Sequence, residues 1–264
     1  TPKPSSAASD VYKRQVVLFS VSYFSYWRGG ISIKEVFSDI IVEAPLGSRT
    51  KLTLPDGTLV WLNAGSRITY SQGFGVGNRK IELIGEGYFE VKRNEEVPFL
   101  VKTNSLLVKV LGTKFNFRDY PDDAEAIVSL SEGKVALNNL LKKEKEAFLL
   151  PNERVVLNKK NGRMHVEYST VSNALQWTNG YLFFDEELLP DVVKELERSY
   201  NVKIQIASDT LNTFRFYGNF VHREQNIQEV LEALSATRKI HYIIEGHNIT
   251  CLLYTSPSPR DRSL

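Results

Sequence analysis

Cysteine and methionine are almost absent: each occurs once in 264 residues. A single thiol excludes an intrachain disulfide and a cysteine-built zinc site. A single thioether argues against a soft, methionine-rich binding groove. Charge of one sign is also lacking, since the net charge of +2 is too small for a nucleic-acid footprint. Motifs of catalysis are missing too: there is no G-x-S-x-G, H-E-x-x-H, Walker loop or dinucleotide fingerprint. No uncharged apolar run reaches the ~20 residues of a membrane span. What is present is 42% hydrophobic, 11% aromatic and 24% charged. Those are globular proportions and exclude a wholly disordered or collagen-like chain. The length leaves room for two modest domains.

The ends read differently from the middle. Residues 1–15 (TPKPSSAASDVYKRQ) and 251–264 (CLLYTSPSPRDRSL) are rich in Ser and Pro and follow neither a helical nor a strand period. They resemble translated adapter read-through; a natural disordered tail is the alternative. Both are set aside from the fold. The positive excess sits in them, as Lys3, Lys13 and Arg14 against Asp10, and Arg260 and Arg262 against Asp261. Cys251 lies at the second junction and is given no role.

Residues 16–28 begin with an uncharged stretch, VVLFSVSYFSYW, that ends in aromatics before Arg28. Aromatics followed by a charge suit the water interface of a membrane helix. The stretch has 12 residues, so it is expected to be the remnant of a transmembrane helix. A buried strand or a signal-peptide remnant are the alternatives.

From about Ile31 to Val166 short apolar alternation is broken by turns. In LTLPDGTLVWLN, Leu52 and Leu54 alternate, Pro55-Asp56-Gly57 turns, and Leu59, Trp61 and Leu62 resume. Pro presets φ, Asp caps the turn and Gly takes positive φ. Regularly spaced strands without amphipathic helices predict an all-β domain over 31–171. Stacked short strands leave a sandwich, a barrel or a solenoid open. Trp61 and Tyr70 are read as core.

Near Trp177 the pattern changes. Tyr181–Phe184 reads as a strand. Leu188, Leu189, Val192, Val193, Leu196 and Tyr200 then recur at helical spacing. Strands at 202–207 and 214–220 follow. A second helix carries Ile227, Val230, Leu231 and Leu234, with Asn226 or Gln225 as a weak cap, and two strands end the segment. Residues 177–250 are expected to form a small α+β domain of βαβ-βαβ type. Both helices should lie on one face of a sheet, with Leu196 and Leu231 buried.

Several residues invite chemistry and are given bland roles. GFGVG at Gly73–Gly77 has no following helix and reads as a hairpin tip. His165, His222, His241 and His247 match no metal spacing. Glu86 and Glu90 lie four apart on a strand, and a solvated strand face is expected for them. No metal or cofactor is expected.

Six ordered segments carry a family likeness. They are LTLPDGTLVWLNAGSRITY (52–70), RKIELIGEGYFEV (79–91), VPFLVKT (97–103), VKVLGTKFNF (108–117), VSLSEGKVAL (128–137) and LLPNERVVL (149–157). In order and spacing they resemble the FecR family of membrane-anchored anti-sigma factors. The block at 181–245 is similar to the C-terminal domain of Bacteroidetes-type members, which looks like the secretin/TonB short N-terminal module. The resemblance implies a single-pass inner-membrane protein with this part in the periplasm. Such a part receives a signal from the N-terminal signalling domain of a TonB-dependent outer-membrane transporter. It relays that signal to an extracytoplasmic-function sigma factor, with control of uptake genes as the output. The sigma factor would be held by a cytoplasmic domain that this sequence lacks, leaving the sensing half. Some members cut themselves at a Gly-Thr bond, which makes Gly112 and Thr113, in VLGTKF within a predicted strand, the catalytic candidates. The chemistry would be attack of the Thr hydroxyl on the preceding carbonyl. The bland reading is that Gly112 permits close backbone approach and Thr113 is an ordinary strand residue.

Three functions compete: the periplasmic transducer of an anti-sigma factor, a non-catalytic carbohydrate-binding or structural β protein with an α+β interaction module, and a hydrolase with a scattered site. Exposed aromatics would favour the second, and a perturbed His or carboxylate in a deep cleft the third.

Overall fold

The computed structural model describes residues 14–27, 38–168, 175–222, 224–246 and 248–254. Residues 1–13, 28–37, Arg223, His247 and the ten residues from 255 lie outside it, as do the expected start of the all-β domain at 31 and the connection 169–174 in which the boundary between the two units was expected.

Residues 14–27 form a helix, α1, whose side chains are all exposed. Its helical form excludes the buried strand considered for this stretch. Among the described residues no helix is long and apolar enough to cross a membrane.

Thirteen strands follow without an intervening helix, as the turn spacing predicts. The organising strand is β5 (Arg79–Glu90), which is twelve residues long. Its first half pairs with β4 (Ser66–Ser71) and, in parallel, with β6 (Phe99–Lys102). Its second half pairs with β3 (Leu59–Leu62) and β8 (Lys114–Asp119). One strand therefore serves two sheets. The first runs β1-β4-β5-β6-β7-β10-β11 and the second β2-β3-β5-β8-β9-β12-β13. Here β1 is Asp39–Ala44, β2 Thr50–Thr53, β7 Leu106–Val110 and β9 Glu125–Glu132. The remaining strands are β10 Val135–Asn139, β11 Ala147–Leu149, β12 Glu153–Asn158 and β13 Met164–Tyr168. The inner faces of both sheets meet in one core, where the Phe89 ring of β5 stacks on Phe115 of β8 and tilts against Phe99 of β6. Of the three architectures left open, the structure is the sandwich.

The strand change happens at Gly85, with φ +97°. A Cβ there would lie 2.4 Å from Ser66 Oγ, so only glycine permits the bend and the close approach of β4. Arg79 pins the loops at the other end of β5. It is almost wholly buried, pairs with Asp56 of the Pro-Asp-Gly turn at 3.2 Å, and donates to the Lys92 and Val97 carbonyls. GFGVG is the tip between β4 and β5, as expected, with Phe74 tucked into the core.

The second unit starts with a 3₁₀ turn, Gln176–Asn179, and contains β14 (Tyr181–Leu188), α2 (Leu189–Tyr200) and β15 (Lys203–Ile206). Then come β16 (Arg215–Val221), α3 (Ile227–Ala236), β17 (Ile240–Glu245) and β18 (Asn248–Leu253). The βαβ order is as predicted, and Leu196 and Leu231 are buried. The expectation of one sheet needs correction. Among the described residues β14 pairs only with β16, while β15 and β17 flank β18, which gives two small sheets with α2 packed on strands of both. The end of the unit is corrected as well. Residues 251–253 belong to β18, the central strand of its sheet, and Cys251 is a core residue 1% exposed. Composition pointed to a foreign tail, yet the six-residue NITCLL run alternates, and its inward face, Ile249 and Cys251, packs into the apolar core of this unit. α3 opens with a full capping box. Asn226 Oδ1 accepts from Glu229 N–H, and Glu229 Oε2 accepts from Asn226 N–H.

Candidate functional site

The two units meet through α2, and the meeting is buried and charged. One face of α2 carries Leu189, Val192, Val193 and Leu196 into its own core. Glu195, Arg198 and Ser199 lie on another side, and they too are buried. Glu195 and Arg198 stand three apart on the helix, a spacing that on a solvated face would give an ordinary surface pair. The β sandwich covers them instead.

Arg118 of β8 donates from Nε to Asp123 Oδ2 at 2.8 Å and from Nη1 to Glu195 Oε2 at 3.4 Å. Arg198 donates from Nη1 to Asp123 Oδ1 at 3.1 Å and from Nη2 to Glu195 Oε2 at 3.4 Å. Its guanidinium lies 3.9 Å over the Tyr120 ring. Lys194 donates to the Asp122 carbonyl, and Gly47 N–H donates to the Arg198 carbonyl at 2.8 Å. Burial pushes the Glu195 and Asp123 carboxyls up. The guanidiniums of Arg118 and Arg198 outweigh it and hold both below the usual carboxylate range.

Glu86 lies next to this network. Its carboxylate accepts from Asn63 Nδ2 at 2.9 Å and Asn116 Nδ2 at 2.8 Å. Both amides are oriented by further partners: Asn63 Oδ1 accepts from Arg49 Nε, and Asn116 Oδ1 accepts from Trp177 Nε1 at 3.1 Å. Burial pushes the Glu86 carboxyl above its ordinary value. The buried cluster therefore joins three carboxyl groups, Glu86, Asp123 and Glu195, with three guanidiniums, Arg49, Arg118 and Arg198, and the exposed Asp122 reaches Arg198 Nη1 at 3.5 Å from its rim. A hydrogen-bonded network can fix the mutual orientation of two units, because any slip leaves a buried charge unpaired.

Two clefts flank Trp177. One, of about 380 Å³, is lined by Gly47–Lys51, Trp61, Ala64, Trp177, Thr178, Gly180, Ser199 and His222. The other, of about 390 Å³, is lined among others by Glu86, Arg118, Arg154, Tyr168, Glu187, Asp191 and Glu195.

Several sequence expectations change here. Glu86 is not on a solvated face. It lies where the second unit covers the strand, beside Asn63 and Asn116, while Glu90 lies further along and accepts from the Tyr88 hydroxyl. Trp61 is not core. It sits between the fully buried Val60 and Leu62, so strand alternation turns it to the opposite face, against Tyr88 and into the first cleft. Tyr70 packs at the core edge against Phe74. Gly112 and Thr113 lie in the connection between β7 and β8 rather than within a strand. A Cβ on Gly112 would lie 2.7 Å from Arg93 Cβ, which is the close approach the bland reading expects. The Thr113 hydroxyl donates to the Lys134 carbonyl at 3.1 Å. His222 Nε2 lies 2.7 Å from the Ser199 carbonyl, while His165 and His241 are exposed. No group of three or more His, Cys, Asp or Glu among the described residues could hold a metal.

Nothing in the sequence marks the junction as a site. A faint signal is Trp177, an aromatic at the unit boundary.

Comparison with known proteins agrees with this division into two units. The pattern described as "FecR protein" matches residues 41–136, and "FecR, C-terminal" matches 181–251. A crystal structure of a candidate anti-sigma factor from Parabacteroides distasonis superposes with a TM-score of 0.75 at 33% identity, covering 82% of this chain and all of that one. A second crystal structure so described, from the same organism, gives 0.75 at 32%, covering 83% and all of that chain. No curated protein matches. With both family segments falling on the two units in order, and with a relative of this identity aligned over its whole length, the chain belongs to the FecR family.

Proposed function

We propose that this chain is the periplasmic sensor and transducer part of a transmembrane anti-sigma factor. Its role in regulation rests on the family. The carrying observation is mechanical: a separately cored α+β unit is clamped to the sandwich through the charged face of α2. A load on the outer unit is thus passed to the β sandwich. The α+β unit is the receiving end. Among the described residues its three-stranded sheet has two edge strands with no further partner, β15 and β17, and β17 exposes Ile243 and Ile244. Free edges dock a small domain by strand pairing. The partner is the N-terminal signalling domain of a TonB-dependent outer-membrane transporter. The output is release of an extracytoplasmic-function sigma factor held by a cytoplasmic segment. In this reading α1 belongs to the membrane anchor, and no catalytic step is assigned to the chain.

Titration calorimetry with the transporter's signalling domain tests this. The intact chain should bind, and a chain ending before Trp177 should not, with circular dichroism showing that the sandwich is still folded. Equal binding by the shortened, folded chain would place the receiving surface elsewhere.

A further inference from the structure

The cleft in front of Trp177 has walls from both units and borders the charged network through Arg49 and Trp177. Arg49 and Lys51 bring two cations to it, and no carboxylate lines it among the described residues. Trp61 and Trp177 supply indole walls, and His222 closes one side with its Nε2 tied to the Ser199 carbonyl. Lys51 Nζ lies 4.5 Å from the centre of the Trp61 ring, so this cation is held over the wall rather than paired with an anion.

Arg49 is the less satisfied of the two. Its Nε is spent on Asn63 Oδ1, while Nη2 is buried with no acceptor among the described residues. A buried donor without a partner is costly, and one bonded to a carboxylate is among the stronger contacts a protein makes. Glu86 and Glu195 are close enough to Arg49 to act on it through space. The volume, about 380 Å³, is at the small end of ligand pockets.

We infer that this cleft is a binding site for a carboxylate carried on a planar apolar group, with the carboxylate against Arg49 and Lys51 and the flat part between the two indoles. A small swing of the guanidinium toward the cleft presents Nη2 to the acid. The same chemistry comes from a free aromatic acid or from an acidic residue beside an aromatic one in a peptide. Because the walls belong to both units, an occupant would tie them together at a second point beside the ion-pair network.

The tryptophans provide the readout. Trp61 and Trp177 line the cleft, and the third, Trp27, is exposed on α1. In a Trp27→Phe background, emission comes from Trp61 and Trp177; because Trp177 also borders the second cleft, the Arg49 and Lys51 variants below tie the signal to this one. Benzoate and an acetylated Phe-Glu dipeptide amide are titrated at constant ionic strength, with benzyl alcohol and inorganic phosphate as comparisons. Saturation by benzoate assigns the site to small acids. Saturation by the dipeptide alone assigns it to a peptide side chain. In either case Arg49→Gln should weaken binding about tenfold, and the exposed Lys51→Gln, which does not touch the core, about threefold. The proposal fails if neither acid saturates, if benzyl alcohol or phosphate binds as well, or if both variants bind like the parent.

Discussion

Asp123 shows how much one side chain can hold. Its turn position, Pro121–Asp123, is readable from sequence, but its role is to bridge Arg118 and Arg198 from opposite units. Burial raises its carboxyl, the two guanidiniums lower it further, and the net direction is below the ordinary value of 3.8. A depressed folded value means that the ionised form contributes stability above the unfolded value and that this is lost as pH falls through the folded one. Asp123→Asn should therefore be less stable than the parent by about 3 kcal/mol at pH 7. The gap should close as the medium is acidified below 3.8. Urea unfolding of both proteins at pH 7, 4 and 3 measures it, and a gap that stays constant would remove Asp123 from the electrostatics.

Among the elements, β5 is the one on which the sandwich depends, since one continuous strand enters both sheets. The bend concentrates its requirement at Gly85, where positive φ and contact with Ser66 coincide. Gly85→Ala should destabilise by about 2–3 kcal/mol through backbone strain alone. By contrast, removing the side-chain half of the α3 capping box with Asn226→Ala should cost about 1 kcal/mol. Thermal unfolding of the two variants would show the ordering. A Gly85→Ala protein as stable as Asn226→Ala would mean that β5 can bend without glycine.

For the whole molecule, the question is whether two cores behave as one. Each has its own apolar cluster, and what joins them is largely charged. Glu195 receives both Arg118 and Arg198, so Glu195→Ala leaves two guanidiniums in a poorly hydrated junction with one carboxylate fewer. Removing one member of a buried ion pair costs about 3–5 kcal/mol. Neither apolar core is touched. Calorimetry should show one transition for the parent and two for Glu195→Ala, the α+β unit melting first. A single transition in both would make the network incidental to coupling.

The course of the chain is written in its local patterns. Period-two alternation broken by Pro-Asp-Gly and similar turns specifies strands, and apolar residues at helical spacing specify α2 and α3. Those signals depend only on neighbours in the chain. The order of the segments was enough for the family. Tertiary structure decided what no local pattern encodes. It split the α+β strands into two sheets and drew Cys251 into a core that composition had excluded. It turned Trp61 into a cleft wall and buried Glu86, Glu195 and Arg198 together. Charged residues on a strand or helix look alike in sequence whether water or another unit covers them. Only the packing of the two units, through side chains up to 77 positions apart, supplies the partner that makes burial tolerable.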